Sequence, residues 1–445
     1  MTPPSPDEIC GSLERLRGAA RAIRRRPARE THAALARVLD GWRDAASPWR
    51  RGLEEELPAR AGFSPENVRA GLDLALAPLA GEALHELVAR ELGGVAGFEG
   101  SAGTLVTGFE TCAVLLAGAL PTPTLVALVA PLALRSGVFA KTSLHDPVTA
   151  AWLARSLADA DPELGACLAV ASFRGDDADR TGALLAADCV AASGSDETIA
   201  RLRARILPPR RFVARGHRVS AAALGRDALR GQLLAASAEG LALDVALWDQ
   251  LGCLSPVSVF AVGGRPAGDR VAEALAEALE RAERRLPRGR LAPEAAAAVA
   301  RESEEAEFRA AAGRDVRVLA GANASWTVVR EEDARLRPAP LHRFVRVVPV
   351  EGEADLVEAF GPLGPHLAAV ALAGFGGERG DVARRLAELG ASRLCAPGRM
   401  QAPPLAWHQD GQGVLLPFAR FADLEPVSIP AGAEAVAPRI RTFSV

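Results

Sequence analysis

Between residues 94 and 391, short apolar runs alternate with helical stretches, and this alternation limits the fold more than any other feature of the chain. TCAVLLAGAL closes on a Pro-Thr-Pro turn, and the TLVALVAPLALRSG that follows has a helical pattern. GVFAKTS reads as a short buried strand with a polar tip, and DPVTAAWLARSLAD as a helix opened by Asp146 and Pro147. ACLAVASF is a strand; TGALLAADCVAASGS is a helix feeding a strand that ends in a turn of small residues. Strands and helices in alternation build parallel sheets covered on both faces, whose ligands bind at the carboxyl ends of the strands. Lys141 and the Gly194-Ser195 turn both fall at such ends.

Upstream, residues 1–92 are helical, with apolar positions three and four apart in LERLRGAARAIRRR and THAALARVLDGWRDA. Arg24, Arg25 and Arg26 fit the solvated face of an amphipathic helix better than a binding patch. One α/β unit is expected over 93–215 and a second over 216–391, where DALRGQLLAASAEGLALDVALWDQ is helical and VSVFAVGG, VRVLAG, SWTVV, RFVRVVPV and LAAVALAG are strand-like. Residues 392–445, rich in proline and glycine, suit a segment returning to the first unit or to a partner subunit. The glycine clusters LGGVAGFEG and AGFGGERG have neither dinucleotide-fold nor phosphate-loop spacing and read as loops.

The 445 residues carry 52 basic and 55 acidic side chains, well mixed, for a net charge of −3. Such a balance favours neither nucleic acid nor an anionic membrane as partner. The start, MTPPSPDEICGSLERLRG, lacks the basic and apolar stretches of a secretory signal, so a cytoplasmic location is expected. The most apolar region, 111–140, is interrupted by Pro121, Pro123 and Pro131 and reads as buried core, not a membrane span.

Six cysteines without a CxxC pair, and seven histidines without HxxxH spacing, argue against a metal site and against a disulfide framework. Cys112 and Cys189 sit in apolar runs read as helical, Cys167 opens a strand, Cys10 is in the helical N-terminus, and Cys395 is in a loop. Cys253 differs: Gly252-Cys253-Leu254-Ser255-Pro256 joins a helix to a buried strand, where a substrate can approach the sulfur. From context it is either a nucleophile or a small core residue. Lys141 is the only lysine among 52 basic residues. Chance is one explanation; a position that needs a compact ammonium is the other. No G-x-S-x-G elbow supports a serine hydrolase.

Taken together, Gly252-Cys253-Leu254-Ser255-Pro256 after Trp248-Asp249-Gln250, Ala140-Lys141-Thr142-Ser143 with Asp146-Pro147, Gly194-Ser195-Asp196-Glu197-Thr198 and Gly216-His217-Arg218-Val219-Ser220 closely resemble the LuxC-like acyl-CoA reductases. These are the fatty-acid reductases of bacterial bioluminescence and their relatives, a branch of the aldehyde dehydrogenase superfamily. The 397–404 segment PGRMQAPP, with Trp407 and Asp410-Gly411, also looks like that family, so the resemblance spans about residues 60 to 425. It implies an aldehyde-dehydrogenase-like α/β fold of two parallel-sheet domains with a helical N-terminal extension. Residues 93–215 would bind a nicotinamide cofactor, 216–391 would carry the nucleophile, and 392–445 would return and serve oligomerisation. It implies Cys253 as the nucleophile, Lys141 and neighbouring Ser143 on the cofactor ribose side, and Gly194 and Ser195 at its pyrophosphate. Glu358, in Glu358-Ala359-Phe360-Gly361-Pro362, resembles a glutamate that contacts the nicotinamide ribose. Leu144 stands where the superfamily's NAD enzymes place an acid, so NADPH (NADP) is the expected cofactor. The substrate implied is an acyl-CoA or acyl-carrier thioester, with a homo-oligomer and an acyl-activating partner protein in the same expectation.

Two departures from the superfamily pattern matter. Its general-base glutamate has no counterpart in Ala214-Arg215-Gly216-His217, which suits a reductase that must avoid hydrolysis and disfavours plain aldehyde oxidation. Its oxyanion-binding asparagine falls at Ala119, and loss of one such donor typically costs roughly a hundred- to a thousand-fold in rate. A catalytically weakened acyl-holding or scaffold subunit is therefore the alternative function.

Overall fold

The structure, a computed structural model, describes residues 3–100 and 103–425. Six helices open the chain: α1 (Pro6–Ile23), α2 (Ala28–Arg43), α3 (Pro48–Ala61), α4 (Pro65–Leu76), α5 (Gly81–Leu92) and α6 (Gly94–Glu99). In α1, Ser5 accepts the Glu8 N–H while the Glu8 carboxylate accepts the Ser5 N–H, a reciprocal cap that fixes where the helix starts. The helix α6 corrects the loop reading of LGGVAGFEG. Gly93 and Gly100 take left-handed φ values of 72° and 70° at its two ends, which lets so glycine-rich a segment begin and end a turn of helix.

After β1 (Thr104–Gly108) comes the first α/β unit: β2 (Thr111–Leu115), α7 (Pro121–Ala133), β3 (Gly137–Lys141), α8 (Thr149–Ala160), α9 (Pro162–Gly165), β4 (Leu168–Ala171), α10 (Ala178–Leu184), β5 (Cys189–Ser193), α11 (Asp196–Arg203) and β6 (Arg211–Arg215). Its five strands are all parallel, in the order β4-β3-β2-β5-β6. Val114, Val138 and Ala140 pack with α7, α8 and the helices α2 to α5, while Ala113, Phe139 and Val190 pack with Ile9, Leu13 and Leu16 of α1. Both faces are thus covered, as a parallel sheet requires. Cys112 and Cys189 are not helical. They lie opposite one another on β2 and β5, because β-branched and small apolar residues in a buried run pair laterally.

The second unit comprises β7 (Val219–Leu224), α12 (Gly231–Ala246), β8 (Pro256–Val262), α13 (Gly264–Arg285), α14 (Pro293–Ala311), β9 (Arg317–Ala320), β10 (Thr327–Arg330), β11 (Phe344–Val350), α15 (Glu353–Phe360), β12 (Leu367–Ala373), α16 (Arg379–Leu389) and β13 (Arg393–Cys395). Its seven strands run β13-β12-β7-β8-β11-β10-β9, parallel except for β9 at the edge. One face is packed by α12 and α13, the other by α15 and α16. The strands β6 and β7, on either side of Gly216, were not anticipated from RFVARGHRVSAAAL. Arginine and alanine there mask the apolar run.

The chain then crosses back. The last strand, β14 (Ala419–Asp423), pairs antiparallel with β1 far upstream. Of the segment expected to serve oligomerisation, residues 426–445 lie outside the described residues. Among the described residues no helix is long and apolar enough to cross a membrane, and no cluster of His, Cys, Asp or Glu could hold a metal ion.

Candidate active site

The approach to Cys253 is a backbone that few sequences adopt. Trp248, Asp249 and Gln250 are consecutive, none is glycine, and all have left-handed φ, at 57°, 49° and 64°. Such a conformation costs roughly 1–2 kcal/mol per residue, so it persists only where its surroundings enforce it. Here they do. Asn67 of α4 accepts the Trp248 N–H at 2.8 Å and donates its amide to the Ala246 carbonyl at 2.9 Å and to Asp249. The buried Arg343 guanidinium donates to Asp249 at 2.6 Å. The Gln250 amide donates to the Pro256 and Phe344 carbonyls and accepts the Phe344 N–H, tying the turn to the starts of β8 and β11. Arg343 itself ends a second left-handed run, Leu341, His342 and Arg343, so two strained turns brace each other.

From this turn the chain emerges at Gly252 and Cys253. A Cβ on Gly252 would stand 2.9 Å from Leu120 Cδ2 and 3.3 Å from Gln401 Oε1, so a side chain there would push these two cavity-lining residues aside. The Ser220 hydroxyl donates to the Cys253 carbonyl at 2.6 Å and fixes the peptide from below. Cys253 is exposed, in a cavity of about 760 Å³ counting its open mouth. The walls are mostly apolar: Leu79, Leu120, Val126, Trp248, Leu405 and Trp407. The sulfur can be reached along the cavity yet is surrounded by protein, and desolvation pushes its thiol up to about 11. Asp410 pushes in the same direction, while Arg218 and Arg215 oppose it. Cys10 is also exposed, but on the N-terminal helix α1, whereas Cys112, Cys167 and Cys189 are buried.

The charges that act on Cys253 form one cluster. Asp410, itself at φ 56°, accepts from Arg218 Nε at 2.6 Å and sits 3.4 Å from Arg215. Sequence reasoning missed this cluster. Its only signal was that Asp410-Gly411 and the 216–220 segment belong to the same set of family motifs.

Lys141 and the Gly194-Ser195 turn come to one edge of the first sheet. Leu115 of β2 pairs with Lys141 on one side and Ala192 on the other, so the two features stand two strand spacings apart, roughly 10 Å. The Lys141 side chain is mostly buried, and its ammonium lies 5.8 Å over the Phe173 ring and has no hydrogen-bond partner among the described residues. Burial lowers its pKa, with Asp176 opposing. Ser195 caps α11 by accepting the Thr198 N–H, and Gly194 leaves the turn without a side chain. Asp196 and Glu197 follow in the first turn and partly offset the positive end of the helix dipole. The Ser143 hydroxyl accepts the His145 N–H and so shapes the loop below Lys141. Leu144 is 55% exposed.

A second cavity, at the carboxyl ends of β2, β5 and β6, is lined by Leu115, Ser193 and Arg215. It shares Pro123, Val126, Gln409 and Val414 with the Cys253 cavity, so the sheet edge and the thiol open onto adjoining spaces. Two expectations fare differently. Glu358 is not brought to this region: it is exposed in the last turn of α15 and lines a separate cavity with Ala334, Arg335 and Leu336, although its motif does lead through a 3-10 turn into β12. Ala119 is buried in the turn between β2 and α7, and the side-chain amides that line the cavity beside Cys253 are those of Gln401 and Gln409. Of these, Gln401 spends its amide hydrogens on the Asp244 carbonyl and Ser255.

A doubly wound five-stranded sheet, a second, mostly parallel sheet with a thiol before one of its central strands, and a C-terminal return define an aldehyde-dehydrogenase-like oxidoreductase fold. The chain belongs to the LuxC family of acyl-CoA reductases, whose family model matches residues 27–421. Solved structures share the fold. An oxidoreductase from Marinobacter aquaeolei, 14% identical, superposes with a TM-score of 0.74 over 94% of this chain and 90% of its own. Indole-3-acetaldehyde dehydrogenase AldA from P. syringae, in complex with NAD+ and IAA, is 15% identical with a TM-score of 0.73, over 95% of this chain and 89% of its own. A putative methylmalonate-semialdehyde dehydrogenase from Sinorhizobium meliloti, complexed with NAD, is 14% identical with a TM-score of 0.72, covering 96% and 92%. No curated protein matches the chain by sequence.

Proposed function

We propose that this protein reduces a fatty acyl thioester to the aldehyde with NADPH, through a thioacyl group on Cys253. The observation that carries the reading is the shared wall between the apolar Cys253 cavity and the cavity at the first sheet's edge. An acyl chain in one and a dinucleotide along the other would meet at the sulfur. The residues suit such a cofactor: Lys141 offers an ammonium without a partner among the described residues, and the turn before α11 offers a helix N-terminus with no side chain at Gly194. Fold relatives solved with NAD support the dinucleotide. Leu144 in place of an acid favours the 2′-phosphorylated form.

In this reading the Cys253 thiolate attacks the thioester carbonyl, the new carbon–sulfur bond forms, and the carrier leaves as a thiol after gaining a proton. A bound nicotinamide would supply the hydride to the acyl carbon. The carbon–sulfur bond to Cys253 then breaks, releasing aldehyde and restoring the thiolate. The superfamily's general-base glutamate has no counterpart in Ala214-Arg215-Gly216-His217, and the mostly apolar walls suit a site that avoids hydrolysis of the thioacyl group. A cytoplasmic homo-oligomer served by an acyl-activating partner completes the proposal.

The second reading, an acyl-holding subunit, is favoured by Ala119 and the committed amide of Gln401. One assay separates them: purified protein, NADPH and a long-chain acyl-CoA, followed by loss of cofactor absorbance and by mass spectrometry of Cys253. Turnover abolished in Cys253→Ala is the expected result. A stable acyl adduct on Cys253 without cofactor consumption would establish the holding role instead.

A further inference from the structure

Beside the mouth of the Cys253 cavity lies an open groove that the reaction scheme leaves without a role. Arg90 of α5, Arg393 of β13, and Arg399 and His408 of the returning segment line it, and no carboxylate among the described residues does. Pro404 and Trp407 wall both spaces. After α4, Ala77 and Pro78 face the groove while Leu79 faces the thiol cavity, so the two lie side by side.

The groove is built, not incidental. Arg393 is held by the carbonyls of Met400 at 2.7 Å, Arg399 at 2.6 Å and Ala402 at 3.2 Å. Arg90 donates to the Ala406 carbonyl at 2.9 Å. Its neighbour Glu91, 3.5 Å away, has its carboxylate engaged by the N–H groups of Val414, Leu415 and Leu416. Asp244 acts on Arg393 from behind, where it accepts the Gly398 and Met400 N–H groups. The exposed Arg399 has neither an ion pair nor a hydrogen bond through its side chain among the described residues. The Trp407 indole donates to the Ser392 carbonyl at 3.0 Å, which fixes the plane of a half-buried ring in the wall. Three arginines line a groove that no carboxylate among the described residues lines, Arg399 with its side chain unengaged, and with the immobilised aromatic face beside them they match a small polyanion that carries an aromatic ring.

We propose that this groove binds the phosphate-bearing nucleotide end of coenzyme A, with Arg399 and Arg90 on the phosphates and Trp407 against the adenine. The pantetheine arm then passes Pro404 and Trp407 to bring the thioester to Cys253. The inference rests on the thioester-reductase reading and adds the carrier to it. Coenzyme A is favoured over a carrier protein because the basic groups line a recess, whereas an acidic protein surface would need them spread on a face.

The test is titration calorimetry of free coenzyme A with the full chain, comparing wild type with Arg399→Ala, Arg399→Glu and Lys141→Ala. Arg399 is exposed, and equal melting temperatures check that its variants fold. Removing a charge-assisted hydrogen bond to the phosphates weakens binding by roughly tenfold or more in Arg399→Ala and further in Arg399→Glu, with Lys141→Ala unaffected. In the reductase assay, the preference in kcat/KM for an acyl-CoA over the matching acyl-N-acetylcysteamine falls by the same factor. Binding that ignores Arg399→Glu, or that is lost in Lys141→Ala instead, overturns the groove. So does a preference for acyl carrier protein that depends on Arg399 while coenzyme A binding does not. Wild type that binds coenzyme A through Arg399 yet reduces no thioester leaves the groove standing and overturns the reductase.

Discussion

At the scale of single residues, the site depends on how a thiol raised to about 11 is made useful. Near neutral pH the unliganded sulfur is protonated, so alkylation by iodoacetamide is expected to rise about tenfold per pH unit until the pH approaches that value. Arg215 and Arg218 lower the thiol pKa and Asp410 raises it. Arg215→Ala is therefore expected to slow alkylation at fixed pH, and Asp410→Asn to quicken it. A rate profile that is flat between pH 7 and 9 would contradict the raised thiol. Lys141 stands beside Leu115, which lines the second cavity. Its ammonium, unpartnered among the described residues, predicts that Lys141→Ala weakens NADPH binding by tenfold or more, a charge-assisted hydrogen bond being worth about 1.5–3 kcal/mol. Alkylation of Cys253 is expected to remain unchanged in that variant. Titration of cofactor fluorescence measures the first and thiol labelling the second.

At the scale of elements, the strained turn between α12 and β8 accounts for both the success and the limits of reading the sequence. Cys253 could be singled out because Gly252 and Pro256 mark a junction, and Lys141 because no other lysine exists. The alternating units were legible for the same reason: periods of 2 and 3.6 are local properties. Nothing local in Trp248-Asp249-Gln250 announces three left-handed residues, since none is glycine and the brace comes from Asn67 and Arg343, distant in sequence. Arg215 and Asp410, 195 positions apart, were illegible for the same reason. Glu358 shows the converse: Glu358-Ala359-Phe360 close α15 and Gly361-Pro362 follow in a 3-10 turn, so which cavity the glutamate lines is determined by the fold and not by the five letters. Because Asn67 satisfies three buried groups of the turn, Asn67→Ala is expected to cost about 2–4 kcal/mol in urea unfolding and to reduce acyl transfer to Cys253. Loss of stability with unchanged thiol reactivity would show that the brace does not set the nucleophile. In α2, His32 is buried, bonded to the Ala133 carbonyl, and lowered to about 4 by desolvation. The unfolded chain takes up that proton from pH 6.5 downward while the native chain does not, so stability is lost as pH falls from 6.5 to about 4. The full effect is about 3 kcal/mol, and His32→Gln is expected to flatten that part of the curve of urea midpoint against pH.

At the scale of the whole molecule, the two cavities exist because the chain returns. Trp407, Gln409 and Val414 belong to the segment that leaves the second sheet at β13 and ends as β14 against β1, and they close spaces whose floors belong to the two sheets. One carboxylate holds that crossing in place. Glu91, at the end of α5, accepts the N–H groups of Val414 at 3.0 Å, Leu415 at 2.8 Å and Leu416 at 3.1 Å, and its side chain is only 4% exposed. Removing it leaves three backbone donors without a partner, at about 1–3 kcal/mol for each that water cannot reach. The second sheet keeps its own cores, whereas Val414, Leu415 and Phe418 belong to the core shared by the helices and the first sheet, so the damage should centre there. Glu91→Ala is therefore expected to expose residues 409–418 to limited proteolysis and to lower kcat/KM for both acyl-CoA and NADPH, since one wall serves both cavities. The bulk of the unfolding transition should be preserved. Glu91→Gln, which retains a carbonyl acceptor, should recover part of each. A variant that lost affinity for only one of the two ligands would mean that the cavities are closed independently, and that the returning segment does not couple them.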